Sequence, residues 1–278
     1  MMGGMENLAG RHAILTGASR GVGMHLAVAL AGRGVNLTLA ARSASELDTV
    51  RDRVAARGVR AIAVPTDVVD EAQRADLLAR AEAELGPVDI LVNNAGVEWS
   101  SFYAEQDPAE ISQTIDVNLT APMLLTRAVL PGMVQRGRGH IVNMASAAGK
   151  SGTPFEAAYS ASKFGLVGFS HAVRAELDGK GVGCSVICPG FIAEDGMYAR
   201  FAELGLRSSW ILGVSPMRKV TDAVITAIVK NRAEIVVNPT PLRPLLALET
   251  AAPGIHPRVM RAMGVTDLFG RAAGMRRG

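Results

Sequence analysis

With only two cysteines among its 278 residues, the chain has no disulfide framework. Cys184 and Cys188 fall in one strand-like run, 182–188. Four strand residues span ~13 Å, whereas bridged Cα atoms lie within ~7 Å of each other, so the pair reads as two reduced core residues of a cytoplasmic protein. Aromatic residues make up 4% of the chain, and no basic stripe is interleaved with them, which argues against a nucleic-acid partner. The five histidines, His12, His25, His140, His171 and His256, show no paired ligand spacing, so no metal site is expected. No uninterrupted apolar run approaches the ~18 residues of a membrane span. Glu6, Asn7 and Arg11 break any apolar stretch near the start, and position 2 is Met2 rather than Gly, so neither a secretory leader nor myristoylation is expected.

What is present is core material. Hydrophobic residues make up 49% and charged residues 20%, the composition of a folded globular protein. The formal net charge of +3 is not spread evenly. From Pro253 onward Arg258, Arg261, Arg271, Arg276 and Arg277 face only Asp267, so the excess sits in the tail and the rest of the chain is close to neutral.

Short apolar stretches at 12–16, 36–40, 61–64, 90–92, 140–144, 182–188 and 234–237 alternate with helical patterns at 21–33, 44–57, 71–85, 107–136, 159–179 and 215–230. Most of the stretches are continuous Val, Ile, Leu and Ala, as strands buried on both faces are. This predicts an α/β fold, a doubly wound sheet of seven parallel strands with helices on both faces. Residues 7–238 read as one Rossmann-like domain and 239–278 as a C-terminal extension. The irregular stretch 189–214 is too long for an ordinary connection and reads as a substrate lid. On such a sheet ligands bind beyond the carboxyl ends of the strands, and the motifs below fall there.

The first strand runs into Thr16-Gly17-Ala18-Ser19-Arg20-Gly21-Val22-Gly23 and then a helix. Glycines in such a turn let the backbone approach a pyrophosphate, which the helix N-terminus then stabilises. The second strand ends in Ala40-Ala41-Arg42-Ser43, without the acid that holds the ribose 2′-hydroxyl of NAD. Arg42 and Arg20 are instead two guanidiniums able to bracket a 2′-phosphate, so NADP(H) is expected over NAD(H). Asp67-Val68 follows the third strand and suits an adenine amino group; Asn94-Ala95-Gly96 follows the fourth and lets a ribose lie against backbone. Tyr159 and Lys163 are four apart on a helix that starts just past the fifth strand, with Ser146 at that strand's end. A free phenol, with a pKa of ~10, is a poor base near neutrality; the neighbouring ammonium is expected to bring Tyr159 into working range.

In this order and at these spacings, Thr16, Gly17, Gly21, Gly23, Asp67, Asn94-Ala95-Gly96, Asn118, Ser146, Tyr159, Lys163 and Pro189-Gly190 resemble the short-chain dehydrogenase/reductase family, in its Tyr-x-x-x-Lys branch, over most of the chain. The resemblance implies an oxidoreductase that interconverts a secondary alcohol and a ketone. Tyr159 is then the general acid or base, Ser146 holds the substrate oxygen, Lys163 binds the nicotinamide ribose and Asn118 positions a relay water. It implies cofactor contacts along Gly17, Ser19, Arg20, Gly21, Val22, Gly23, Arg42, Asp67, Val68, Asn94, Ala95, Gly96, Tyr159, Lys163, Pro189, Gly190 and Ile192, and a homodimer or homotetramer. The chain departs from the family at Glu194, where Thr is common four residues after the glycine of Pro-Gly. A carboxylate there would repel phosphate, so it either turns away or leaves the contact to backbone. Glu194 also counts slightly for the alternative of a non-catalytic NADP(H)-binding regulatory protein.

The lid carries Met197, Tyr198, Phe201, Leu204, Leu206, Trp210, Ile211 and Leu212. Read as recognition rather than packing, this stripe implies a bulky apolar carbonyl or alcohol substrate. For the extension three roles compete: a cap over the substrate pocket, an arm on a neighbouring subunit, or, less favoured, a peripheral membrane anchor.

Overall fold

The computed structural model describes residues 5–194, 213–241 and 243–275. The lid stripe from Met197 to Leu212 lies outside these, as do Arg276 and Arg277. Among the described residues seven strands form one parallel sheet: β1 (His12–Thr16), β2 (Asn36–Ala41), β3 (Ala61–Pro65), β4 (Ile90–Asn93), β5 (Gly139–Met144), β6 (Val182–Pro189) and β7 (Glu234–Val237), in the order β3-β2-β1-β4-β5-β6-β7. This is the expected doubly wound α/β architecture. Every residue of β1, β5 and β6 is buried, which is why these strands are mainly apolar without alternation, with the few polar residues among them, such as His140 and Ser185, hydrogen-bonded to one another. The strand order reverses between β1 and β4, and a crevice opens beyond their carboxyl ends.

Helices cover both faces. On one, α1 (Gly21–Ala31) and α7 (Met217–Lys230) bury Leu26, Leu30, Val220, Val224 and Ile228; α2 (Ala44–Ala55) adds Leu47, Val50 and Val54. On the other, α3 (Glu71–Leu85) buries Leu77 and Ala81 beside Leu125, Val129 and Met133. Each such aliphatic side chain contributes ~1.5–3 kcal/mol on burial.

One expected helix is corrected. The pattern over 107–136 forms α4 (Pro108–Ile115) and α5 (Ala121–Gln135), joined by a π turn over Asp116–Thr120. Pro122 has no N–H to continue the i→i−4 ladder, and the Ala121 N–H reaches back five residues to the Asp116 carbonyl. Within Pro108–Gln135 an 18-residue window reaches a mean hydropathy of 1.2, and the stretch is long enough to cross a bilayer. Val117, Ala121, Leu125, Val129 and Met133 pack beneath the sheet, which accounts for that hydropathy.

Beyond β7, the helices α8 (Arg243–Ala251), α9 (His256–Ala262) and α10 (Val265–Met275) fold back over the carboxyl end of the sheet. Met260, Met263, Val265, Leu268, Phe269 and Ala272 form a separate apolar cluster with Phe155 and Phe191. The rings of Phe191 and Phe269 stack with centroids 6.1 Å apart. Phe155 itself has φ +65°, an uncommon backbone state for a bulky residue. Its carbonyl accepts from the Ser101 N–H at 2.8 Å, and its ring fills the space that the missing side chain of Gly270 leaves.

Candidate active site

The turn after β1 closes tightly on itself. Gly17 has φ +64°, and a Cβ there would stand 2.8 Å from the Ala95 Cα; one on Gly23 would collide with the Gly17 carbonyl. Thr16 and Asn94 hold the contact: Thr16 Oγ1 accepts from the N–H groups of Asn94 and Ala95, both at 3.0 Å, and Asn94 Nδ2 donates to the carbonyls of Thr16 and Gly17. The Asn94 amide thus shapes the cradle. At the N-terminus of α1 there is neither a side-chain cap nor an acid in the first turn, so its free N–H groups and positive dipole end are uncompensated. Gly21, at φ +54°, has open space where a Cβ would point. These features fit the pyrophosphate of a dinucleotide.

From this turn a cavity of about 800 Å³ runs past the ends of β4, β5 and β6. It is lined by Gly17, Ser19, Arg20, Val22, Gly23, Arg42, Asp67, Val68, Asn94, Ala95, Gly96, Ser146, Tyr159, Lys163, Pro189, Gly190 and Ile192, all named from the sequence. Two residues named with them, Gly21 and Asn118, do not line it. Arg20 and Arg42 stand at one end, and among the described residues neither makes an ion pair.

The reactive groups gather where β5 meets α6 (Ala157–Glu176). Ser146 closes a turn by accepting from the Ala148 N–H at 3.1 Å and lines the same cavity as the Tyr159 phenol. Lys163 Nζ donates to the Met144 carbonyl at 2.9 Å and lies 5.5 Å from the centre of the Tyr159 ring. Burial pulls the ammonium pKa down to about 8. The Tyr159 phenol is pushed well above its usual value, first by burial and then by the charges of Glu98 and Glu156, with nearby Ser146 opposing. The expectation that Lys163 brings the phenol into working range is therefore corrected for this arrangement. Burial outweighs the ammonium, which is itself partly desolvated and tied to a carbonyl.

Asn118 is fully buried in the π turn. Its Oδ1 accepts from the Val97 N–H at 2.9 Å, and its Nδ2 donates to the Val97 carbonyl at 2.8 Å and to Ser162 Oγ at 3.2 Å. Ser162 Oγ in turn donates to the Tyr159 carbonyl at 2.7 Å. The Asn118 side chain therefore links the segment after β4 to the first turn of α6. The close approach is permitted by Gly96, where a Cβ would lie 3.3 Å from Asn118 Oδ1.

Glu194 turns away from the cavity. Its Oε2 accepts from the Met217 N–H at 2.7 Å, so the carboxylate caps α7 instead of facing a phosphate. The residue that counted for the binding-only alternative is thus engaged elsewhere.

Glu46, Glu98, Trp99, Glu156, Leu245, Leu246, Glu249, Met260, Met263 and Phe269 also line the cavity and were not named from the sequence. For Glu156 a signal existed, three residues before Tyr159 and one helical turn away. For the C-terminal residues the only pointer was the reading of the extension as a cap over the pocket, one of three roles, because their individual places depend on how the last helices fold back. Glu249 accepts from Ser151 Oγ at 2.7 Å and pairs with His256 at 3.2 Å, which ties α8 and α9 to the loop after β5.

Residues 11–203 match the family model described as short chain dehydrogenase. Over 268 residues the chain is 39% identical to the ketoacyl reductase HetN of Nostoc sp., covering 95% of this chain and 92% of that protein. Among solved structures it is similar to a metagenomic short-chain oxidoreductase in complex with NADP, at 33% identity and a TM-score of 0.72 over 84% of this chain and 99% of that one. It is also similar to an actinorhodin polyketide ketoreductase with NADPH, at 29% identity and a TM-score of 0.74 over 82% and 95% of the two chains.

Proposed function

Because the chain belongs to the short-chain dehydrogenase family and is an oxidoreductase of that family, we propose that it uses NADP(H) to interconvert a secondary alcohol and a ketone on an apolar substrate, with 3-oxoacyl compounds the first class to examine. The observation that carries this reading is a single cavity that joins the glycine cradle to Ser146, Tyr159 and Lys163 and then to an apolar wall from α8, α9 and α10.

Bound along the cradle, the nicotinamide cofactor supplies or takes up hydride. The chain's own residues manage position and proton. Ser146 and Tyr159, side by side on the cavity wall, converge on one substrate oxygen. In reduction the phenol gives its proton to that oxygen; its raised pKa keeps it protonated until it does so. Lys163 then provides a cation beside the phenolate that remains. Arg20 and Arg42 support the choice of NADP(H), as does the absence of an acid at the end of β2. The apolar substrate is supported by Leu245, Leu246, Met260, Met263, Val265 and Phe269, which make the extension a cap over the chamber.

The test is a cofactor-linked assay with medium-chain 3-oxoacyl esters. NADPH is expected to support turnover better than NADH, and Tyr159→Phe to lower kcat by at least ~100-fold while leaving NADPH binding intact. Unchanged turnover in Tyr159→Phe would remove the proposed chemistry.

A further inference from the structure

Glu156 is a group at this site that the proposed reaction does not use. It is 1% exposed, lines the cavity and ends one turn before Tyr159 at the N-terminus of α6. Ser100 Oγ donates to its Oε1 at 3.1 Å, which engages one of its two oxygens. It makes no capping bond to α6, so the carboxyl is not spent on the helix. Its neighbourhood discourages a negative charge: burial holds the carboxyl well above the ordinary carboxylate range, Glu98 presses in the same direction, and only the Ser100 bond opposes. A carboxyl kept neutral carries an O–H and can donate, which a carboxylate cannot. Glu98 and Glu156 line the same cavity as Tyr159, and both charges bear on its phenol. Ser146 and Tyr159 suffice for that oxygen, so the donor on Glu156 is left for another.

Resting on the ketone-reductase reading above, we infer that Glu156 is a specificity-determining residue. Its carboxyl hydrogen-bonds a second oxygen of the substrate, beside the carbonyl that Ser146 and Tyr159 address. Substrates with two such oxygens, as in a 3-oxoacyl ester, are then preferred over simple ketones of the same length. The preference comes from leaving the buried donor unpaired when the second oxygen is missing.

The inference is tested by calorimetric titration of the full-length protein with NADP+, which cannot reduce a ketone. The two ligands are a medium-chain 3-oxoacyl ester and the ketone of matching length without the ester. Wild type is expected to bind the ester about tenfold more tightly, the discrimination one hydrogen bond to a buried group supplies. Glu156→Leu abolishes the preference, whereas Glu156→Gln keeps it because its amide still donates. The affinity ratio within one preparation is insensitive to any misfolded fraction, so a poorly folding Leu variant does not obscure the result. Equal affinities in wild type, a preference surviving in Glu156→Leu, or a Gln variant that behaves like Leu would each overturn the role of Glu156. Failure of wild type to oxidise NADPH with either ketone would sink the reductase reading alone, because the binding ratio does not require turnover.

Discussion

Arg20, Arg42 and Glu46 line one cavity, Glu46 from the first turn of α2, and the proposed choice of NADP(H) turns on their local charge: the two arginines would bracket a 2′-phosphate and the carboxylate would oppose it. Arg42→Ala is expected to weaken NADPH binding about tenfold and to leave NADH little changed, whereas Glu46→Gln strengthens NADPH binding; fluorescence titration of both cofactors reads the split. A second residue-scale consequence concerns acid stability. His140 is fully enclosed, with Nε2 bonded to Ser185 Oγ at 2.8 Å, and burial lowers its pKa to about 3. Between pH 6.5 and 3 the unfolded chain binds a proton that the folded chain refuses, so stability falls as pH drops through that window. At pH 4.5 the loss from this group is about 2.5 kcal/mol. Urea unfolding at pH 7 and pH 4.5 is expected to show a smaller drop for His140→Gln than for wild type. Residues such as Tyr159 and Lys163 were legible because four-residue spacing on a helix places side chains together. Glu194 was legible only as an anomaly, since a carboxylate near a phosphate site is awkward whereas one at a helix N-terminus is favourable, and sequence does not say which it meets.

At the scale of elements, α7 begins at Met217 because Pro216 ends the extended chain and Glu194 supplies the acceptor its first N–H needs. Glu194→Ala is expected to cost about 1 kcal/mol, a Tm decrease of ~2–4 °C by calorimetry, without altering NADPH affinity. The strands were readable since parallel strands buried on both faces leave continuous apolar runs, and their observed ends differ from those runs by one residue at most. The π turn was not. Pro122 stands near the middle of the pattern over 107–136, where a proline signals a kink or break without saying that a π turn resolves it. Only the tertiary bonds of Asn118 to Val97 and Ser162 show that the turn also orients the site.

For the whole molecule, the cavity is shared between the sheet and the C-terminal helices. Phe155 and Phe191 on one side meet Phe269 and its neighbours on the other, and Glu249 joins Ser151 and His256 across the seam. Truncation after residue 252 is expected to preserve the sheet, to leave NADPH binding near wild type and to raise KM for long-chain more than for short-chain ketones; a chain-length series of steady-state rates checks it. Charge placement had marked this segment as distinct, yet its role depended on long-range packing that no local pattern encodes.

The described residues on either side of 195–212 are fastened together. Ala193 and Phe191 exchange backbone hydrogen bonds with Ser215, and Glu194 holds Met217. A base closed in this way fixes the separation of Glu194 and Gly213 independently of the residues between them, and each doubling of such a segment's length adds only ~0.6 kcal/mol in closure entropy. Substitutions and insertions within 195–212 are therefore expected to draw little on the stability of the sheet.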